Sequence, residues 1–299
     1  MNRRLFLRSG LLTAGALTLA KQELIANLFQ QPAWKIQMLT ENIGVFTERG
    51  GTILFNFTAD GIVVVDSQFP DQSNHLIEEL KKRNQGFALL VNTHHHGDHT
   101  GGNISYKGLV KHVLAHENSL VNQKAAAAAQ KSEDKQLYPD RTYRETWCED
   151  IGGERMCLYY FGAGHTNGDS VVHFEDSNIA HMGDLCFNRR HPFVDRSAGA
   201  NMKNWITVLE KTKKKLDKKT RYVFGHSAEG YQILGTHEDL SKFGEYLNGV
   251  LDFTDKEIKA GKTKEEFIKT TTLPFKTEWS GDGLARPLTA AWDELTAPK

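Results

Sequence analysis

The sequence shows no excess charge of either sign: 37 lysines and arginines stand against 37 aspartates and glutamates in 299 residues. Without Arg3, Arg4 and Arg8, which belong to a segment read below as removable, 34 basic residues remain, for a charge of about −3. Such a balance leaves no positive field to hold a phosphate backbone, so nucleic acid is not expected as a partner. Long hydrophobic runs are also missing. The apolar stretch at 11–20 falls far short of the about 20 residues a membrane span needs, so no stable span is expected in the mature protein. No lipobox cysteine accompanies it, which excludes a lipid-modified leader. No internal repeat is evident, although strands and helices fall in two broadly similar halves. With 25% charged and 39% hydrophobic residues the composition is that of an ordinary soluble protein, long enough to bury a large core.

Histidine is concentrated in one place. The loop Thr93-His94-His95-His96-Gly97-Asp98-His99-Thr100-Gly101-Gly102 follows Phe87-Ala88-Leu89-Leu90-Val91, an apolar run that reads as a buried strand. Imidazoles crowded at the end of such a strand depress one another's protonation, and buried polar groups must be paired. A metal ion removes both difficulties, because neutral imidazole and carboxylate are the ligands that a borderline cation such as zinc prefers. The alternation His94-x-His96 sends two rings the same way, and Asp98 and His99 can turn toward a neighbouring position. A merely solvated polar loop would have no need of this set.

The loop reads H-x-H-x-D-H, and Gly164-His165-Thr166-Asn167-Gly168-Asp169, Gly183-Asp184 and Gly225-His226-Ser227 follow it in order, each after a segment that reads as a strand. In this the chain resembles the metallo-β-lactamase superfamily from about residue 43 to 226. The resemblance implies an α+β fold, the metallo-β-lactamase sandwich of two mixed sheets flanked by helices. Carried over residue by residue, it implies that His94, His96 and His165 hold one zinc ion and Asp98, His99 and His226 a second. Asp184 bridges the two, giving two Zn²⁺ per chain and a bridging hydroxide as nucleophile. The same resemblance implies Asp98 as the catalytic residue, orienting the hydroxide and taking its proton. A bridging aspartate is typical of the ester, thioester and lactone hydrolases of the superfamily, such as the glyoxalase II-like branch. The expected activity is therefore cleavage of such a small-molecule substrate, with β-lactam opening as the alternative and a non-catalytic metal-binding protein behind both. Cys186 is outside the Gly-Asp slot and reads as a buried thiol. Two departures are visible. Flavodiiron-type relatives carry a carboxylate where this chain has His96, and no flavin domain follows. The family's usual Asp-x-Gly is here Asp66-Ser67-Gln68, with Asp66 expected to brace the loop, not to ligate.

The first residues read as a leader. Asn2-Arg3-Arg4-Leu5-Phe6-Leu7-Arg8 resembles a twin-arginine export signal, and Ala20 or Ala26 would end it. The export machinery is then a partner and the periplasm the expected location. Residues 1–26 are set aside as the signal region, 27–299 as one domain, and 227–299 as its mostly helical end. Between them, strands are expected at 43–49, 52–57, 62–65, 87–91, 110–115, 142–148, 156–161, 170–174, 179–182 and 221–224, with helices at 71–84, 118–131 and 201–216. The polar segment 132–141 is a candidate cover for the site. His116 reads as structural, and the lysines of the third helix as a solvated face. Asn188, Arg189 and Arg190 are candidates to meet a substrate carboxylate. If Gly152-Gly153 is a two-residue turn, counting outward sets Cys148 opposite Cys157 in a non-hydrogen-bonded pair, close enough for a disulfide.

Overall fold

The computed structural model describes residues 33–281 and 283–298, so the expected leader lies outside the described residues. The residues from Ile36 onward form one compact unit. Its first sheet has seven strands side by side in chain order: β1 (Lys35–Met38), β2 (Ile43–Thr47), β3 (Ile53–Thr58), β4 (Gly61–Val65), β5 (Phe87–Asn92), β6 (Val110–His116) and β7 (Arg141–Tyr143). The β2–β3 and β3–β4 pairs are antiparallel, joined through turns at Gly50-Gly51 and Asp60-Gly61. From β4 onward the pairs are parallel, because helical segments return the chain to the same edge. Of these, α1 (Pro70–Lys81) buries Leu76, Ile77 and Leu80 on one stripe, and α3 (Glu117–Gln130) follows β6. Between β5 and β6 the short α2 (Gly97–Thr100) carries half of the histidine loop.

The second sheet has six strands in the order β15-β13-β11-β10-β9-β8. They are β8 (Thr146–Ile151), β9 (Glu154–Tyr159), β10 (Val171–Phe174), β11 (Ile179–His181), β13 (Arg221–Val223) and β15 (Leu234–Gly235). A two-stranded pair, β12 (Phe187–Asn188) with β14 (His226–Ser227), stands beside it. Helices α4 (Met202–Lys215), α5 (His237–Lys259), α6 (Lys264–Phe267) and α7 (Ala285–Thr296) complete the chain. One apolar cluster joins the inner faces of the sheets, with Val45, Leu54, Val63 and Val91 from the first and Leu158, Val172, Phe174 and Val223 from the second. A second cluster packs Val171, Ala180 and Tyr222 against Trp205 and Leu209 of α4, Phe243 and Leu247 of α5 and Leu288 of α7. Two mixed sheets face to face, flanked by helices, are the expected α+β sandwich.

The segment expected as one strand at 142–148 is two. β7 closes the first sheet against β6, and after Arg144 and Glu145 the chain crosses to open the second sheet as β8. Both halves have strand-forming residues, and nothing in a pattern of alternation marks a change of sheet. The β8–β9 hairpin has the expected register, from Ile151 opposite Glu154 to Cys148 opposite Cys157. Those two cysteines are disulfide-bonded with Cα atoms 4.1 Å apart, and Cys186 is free and buried.

Candidate metal centre

The histidine loop is held from below by Asp66. β4 ends there, and the buried carboxylate accepts from the Thr93 backbone N–H at 2.8 Å, from the Thr93 hydroxyl at 2.8 Å and from His99 Nδ1 at 2.7 Å. All three of these bonds come from the loop, which is the bracing role expected of it. Gln68, where the family has glycine, keeps a glycine-like backbone with φ of 52°. Its side chain donates to the Gly51 carbonyl at 2.6 Å, a compensation for a conformation that costs a non-glycine residue about 1 kcal/mol or more.

The seven expected ligands converge in two sets. His94, His96, His165 and Asp184 offer four ligand atoms that all lie within 4.8 Å of one another, and Asp98, His99 and His226 offer three on the same criterion. Asp184 reaches both. Its Oδ2 lies 3.5 Å from His165 Nε2 and 4.0 Å from His94 Nε2, while its Oδ1 lies 3.0 Å from His99 Nε2 and 3.4 Å from His226 Nε2. Asp98 Oδ2 is 3.2 Å from His226 Nε2. Gly225 is required beside this carboxylate, since any Cβ there would overlap Asp184 Oδ1.

Outer partners aim the rings. His165 Nδ1 donates to the Phe193 carbonyl at 2.8 Å and His94 Nδ1 meets the Thr93 hydroxyl at 3.0 Å. His96 Nε2 donates to Asp195 Oδ2 at 2.8 Å, which leaves its Nδ1 as the free ligand atom, 2.9 Å from His165 Nε2. Asp195 carries no motif and went unread in the sequence. His95 turns to the same carboxylate, its Nε2 at 3.5 Å from Asp195 Oδ2, and stays out of both sets. His116 is structural: its Nε2 donates to the Arg144 carbonyl at 2.8 Å and its Nδ1 accepts from Asn118 N–H at the start of α3.

Without a cation the set is electrostatically unsettled. Burial, aided by neighbouring imidazoles, pushes His94 well below its ordinary value and His165 to about 3. Burial also opposes charge on His99, yet Asp184, Asp66 and Asp98 hold it well above. Asp98 is pulled to about 2 against its burial, by His99 and His226. His94 Nε2 is buried with no hydrogen-bond partner, facing a carboxylate oxygen it is too far to bond. A buried lone pair left over among acceptors is what a metal ligand looks like before its metal, and the donors, imidazole and carboxylate only, suit zinc. The residues present fit a pair of divalent cations.

Beside Asp98 and Asp184 a cleft of about 320 Å³ opens, walled by Phe187, His191, Phe193, Arg190 and Arg286. The segment 132–141 does not line it, contrary to its candidacy as a cover. The mouth is made by the loop after β12, where Arg190 was expected, and by α7, which the sequence did not mark. Of the three residues expected to meet a carboxylate, Asn188 donates to the Gln232 carbonyl at 2.7 Å, and Arg189 turns inward to Asn188 and stacks on Trp279 at 4.7 Å. Only Arg190 faces the cleft. A larger hollow of about 790 Å³ between α4 and α5 lies away from all seven ligands, and its Glu210, Lys213, Glu245 and Lys276 pair among themselves.

The chain is similar to known proteins over different extents. The metallo-beta-lactamase IND-1 of Chryseobacterium indologenes is 26% identical over 192 residues, 62% of this chain and 76% of its own length. Hydroxyacylglutathione hydrolase of Bartonella henselae is 24% identical over 151 residues, 50% of this chain and 53% of its own. The metallo-beta-lactamase from Pontibacter korlensis superposes with a TM-score of 0.61 at 21% identity, covering 72% of this chain and 99% of that one. Residues 50–226, more than half of the sequence, match the profile of the Metallo-beta-lactamase superfamily, and the chain belongs to that family as a metal-dependent hydrolase.

Proposed function

We propose that the protein is a dinuclear zinc hydrolase of an ester, thioester or lactone. The observation that carries this is Asp184, whose two oxygens face the two ligand sets separately. His94, His96 and His165 would hold one zinc, Asp98, His99 and His226 the other, with Asp184 shared. Zinc so held supplies a Lewis acid and, by lowering the pKa of water from 15.7 to about 7, a nucleophile at neutral pH. Asp98 directs one oxygen to His226, and its other oxygen is left to take up the proton of the attacking water. Asp184 adds a negative charge common to both positions. That tempers their electrophilicity and suits activated acyl groups better than a ring whose opening expels an amide nitrogen.

A second reading, opening of a β-lactam, is supported by the 26% identity to IND-1, which extends over most of that enzyme. One measurement separates the two: kcat/KM on a matched panel of thioesters, lactones, esters, a penicillin, a cephalosporin, a carbapenem and a phosphodiester. The expected leader is an ester, thioester or lactone. A β-lactam preferred a hundredfold, about 2.7 kcal/mol of transition-state stabilisation, would reverse the ranking. Export belongs to the same proposal. It rests on Asn2 to Arg8, and the Cys148–Cys157 disulfide supports it, because such bonds persist in oxidising compartments.

A further inference from the structure

Most arginines of the described residues have an acceptor or a buried stack. Arg144 pairs with Glu117, Arg155 with Asp150, Arg196 with Glu294, and Arg189 is buried on Trp279. Arg49 and Arg83 are exposed without an ion pair, over Phe69 and Phe57, but neither lines the cleft beside the ligand sets; Arg190 and Arg286 do. Both are exposed, both line the cleft beside the ligand sets, and among the described residues neither forms an ion pair. They come from distant parts of the chain, the loop after β12 and the first turn of α7, yet the framework between them is tied. Arg190 bridges to Ser280, His191 N–H donates to the Ser280 carbonyl at 3.3 Å, and Ser280 N–H donates to the Arg189 carbonyl at 2.9 Å. The Arg286 guanidinium sits 5.8 Å over the ring of Phe193, itself 41% exposed and 5.4 Å from the His96 ring. Two cations without an ion-pair partner and an open aromatic face therefore line the cleft that holds Asp98 and Asp184. A guanidinium fork matches a carboxylate in plane and in spacing.

We propose that Arg190 and Arg286 receive a carboxylate of the substrate, with its apolar portion against Phe193. The substrate is then an acyl compound carrying a free carboxylate beyond the bond that is cut. This rests on the hydrolase reading above and narrows it. A carboxylate fits better than a bulkier anion because the cleft of about 320 Å³ must also admit the acyl group.

The test compares the p-nitrophenyl ester of glutaric monoacid with the same ester capped as its neutral methyl ester and with a sulfonate analogue, on zinc-loaded full-length protein. The monoacid is expected to lead in kcat/KM by about tenfold or more, expressed mainly in KM, as one or two charged hydrogen bonds would give. Arg190→Gln and Arg286→Gln should each shrink that preference severalfold, and the double variant should erase it. Arg144→Gln, an equal loss of charge at an arginine that does not line the cleft, should leave it intact. Both arginines are exposed, so thermal midpoints should match the unsubstituted protein. If no ester is cleaved, the hydrolase reading fails, and calorimetry with glutarate against glutaramide still decides this one. Glutarate binding weakened about fivefold or more in the double variant supports it. An undiminished charge preference in the double variant, by kinetics or calorimetry, overturns it, as does a sulfonate preferred to the carboxylate.

Discussion

A ligand residue is only as good as the group that fixes its ring. His96 shows this most clearly: its metal-facing atom is Nδ1 only because Nε2 is committed to Asp195 at 2.8 Å. Asp195 is fixed in turn by the Ser197 hydroxyl and by the Ala198 N–H at 3.1 Å, and its own N–H donates to the His165 carbonyl at 3.2 Å. One residue thus orients the His96 ring with its carboxylate and holds the His165 backbone with its N–H. Asp195→Ala should weaken metal binding by about 10- to 100-fold, the usual worth of an outer partner of this kind. Competition with a chromogenic chelator reads it directly, and Asp195→Asn should recover part of the loss because the amide oxygen can still accept. Equal affinity in the alanine variant and the unsubstituted protein would show that His96 needs no such guide. Asp66 was legible in the sequence because it stands in a known place after a strand. Asp195 was not, since it lies 99 residues from the ring it aims and carries no spacing to the motif.

Elements were readable where a period persisted and unreadable where the chain changed layer. β2 to β6 are short apolar runs bounded by glycine turns, and their limits fall within two residues of those expected. The crossing between β7 and β8 has no sequence mark, because Arg144 and Glu145 suit a strand edge as well as a loop. The β8–β9 hairpin is the opposite case: the turn Gly152-Gly153 alone fixes the register that brings Cys148 to Cys157. β8 is also the outer strand of its sheet, with pairing on one side only, so the bond clamps an edge. Replacing both cysteines by serine should cost about 2–3 kcal/mol, the value for a short closed loop, read as a lower urea midpoint at unchanged slope. The native protein should show no reactive thiol until unfolded, then one, from Cys186. A midpoint that stays put would mean that hairpin packing already holds the edge. In the helices, α4 falls within a residue of its expected limits, while the role of α7 at the cleft was invisible, because an exposed arginine in a first turn looks like any other.

Across the whole molecule, the candidate ligands sit at one end of the sandwich, where the helix-side apolar cluster meets them through Trp205, 5.6 Å from the His165 ring, and Phe187, stacked on His226 at 5.4 Å. Beyond those contacts the clusters bury side chains such as Phe243, Leu158 and Phe174 among apolar neighbours. The metal should therefore matter strongly to activity and moderately to stability. A ligand present at 1,000 times its Kd adds about 4 kcal/mol to the folded state, and two such sites would raise the melting point by on the order of 10 °C. Loss of the metals returns the cost of the bare set, in which the buried His94 Nε2 has no partner. Exhaustive chelation should then abolish hydrolysis, lower the melting point by roughly that amount and leave the far-ultraviolet spectrum nearly unchanged. Readdition of two equivalents of zinc should restore both activity and melting point, and one equivalent should not. Global unfolding on chelation would place the centre among the elements that hold the sandwich together. A melting point indifferent to the metal would show that the ligand sets relax without it, against the buried and unpartnered Nε2 of His94.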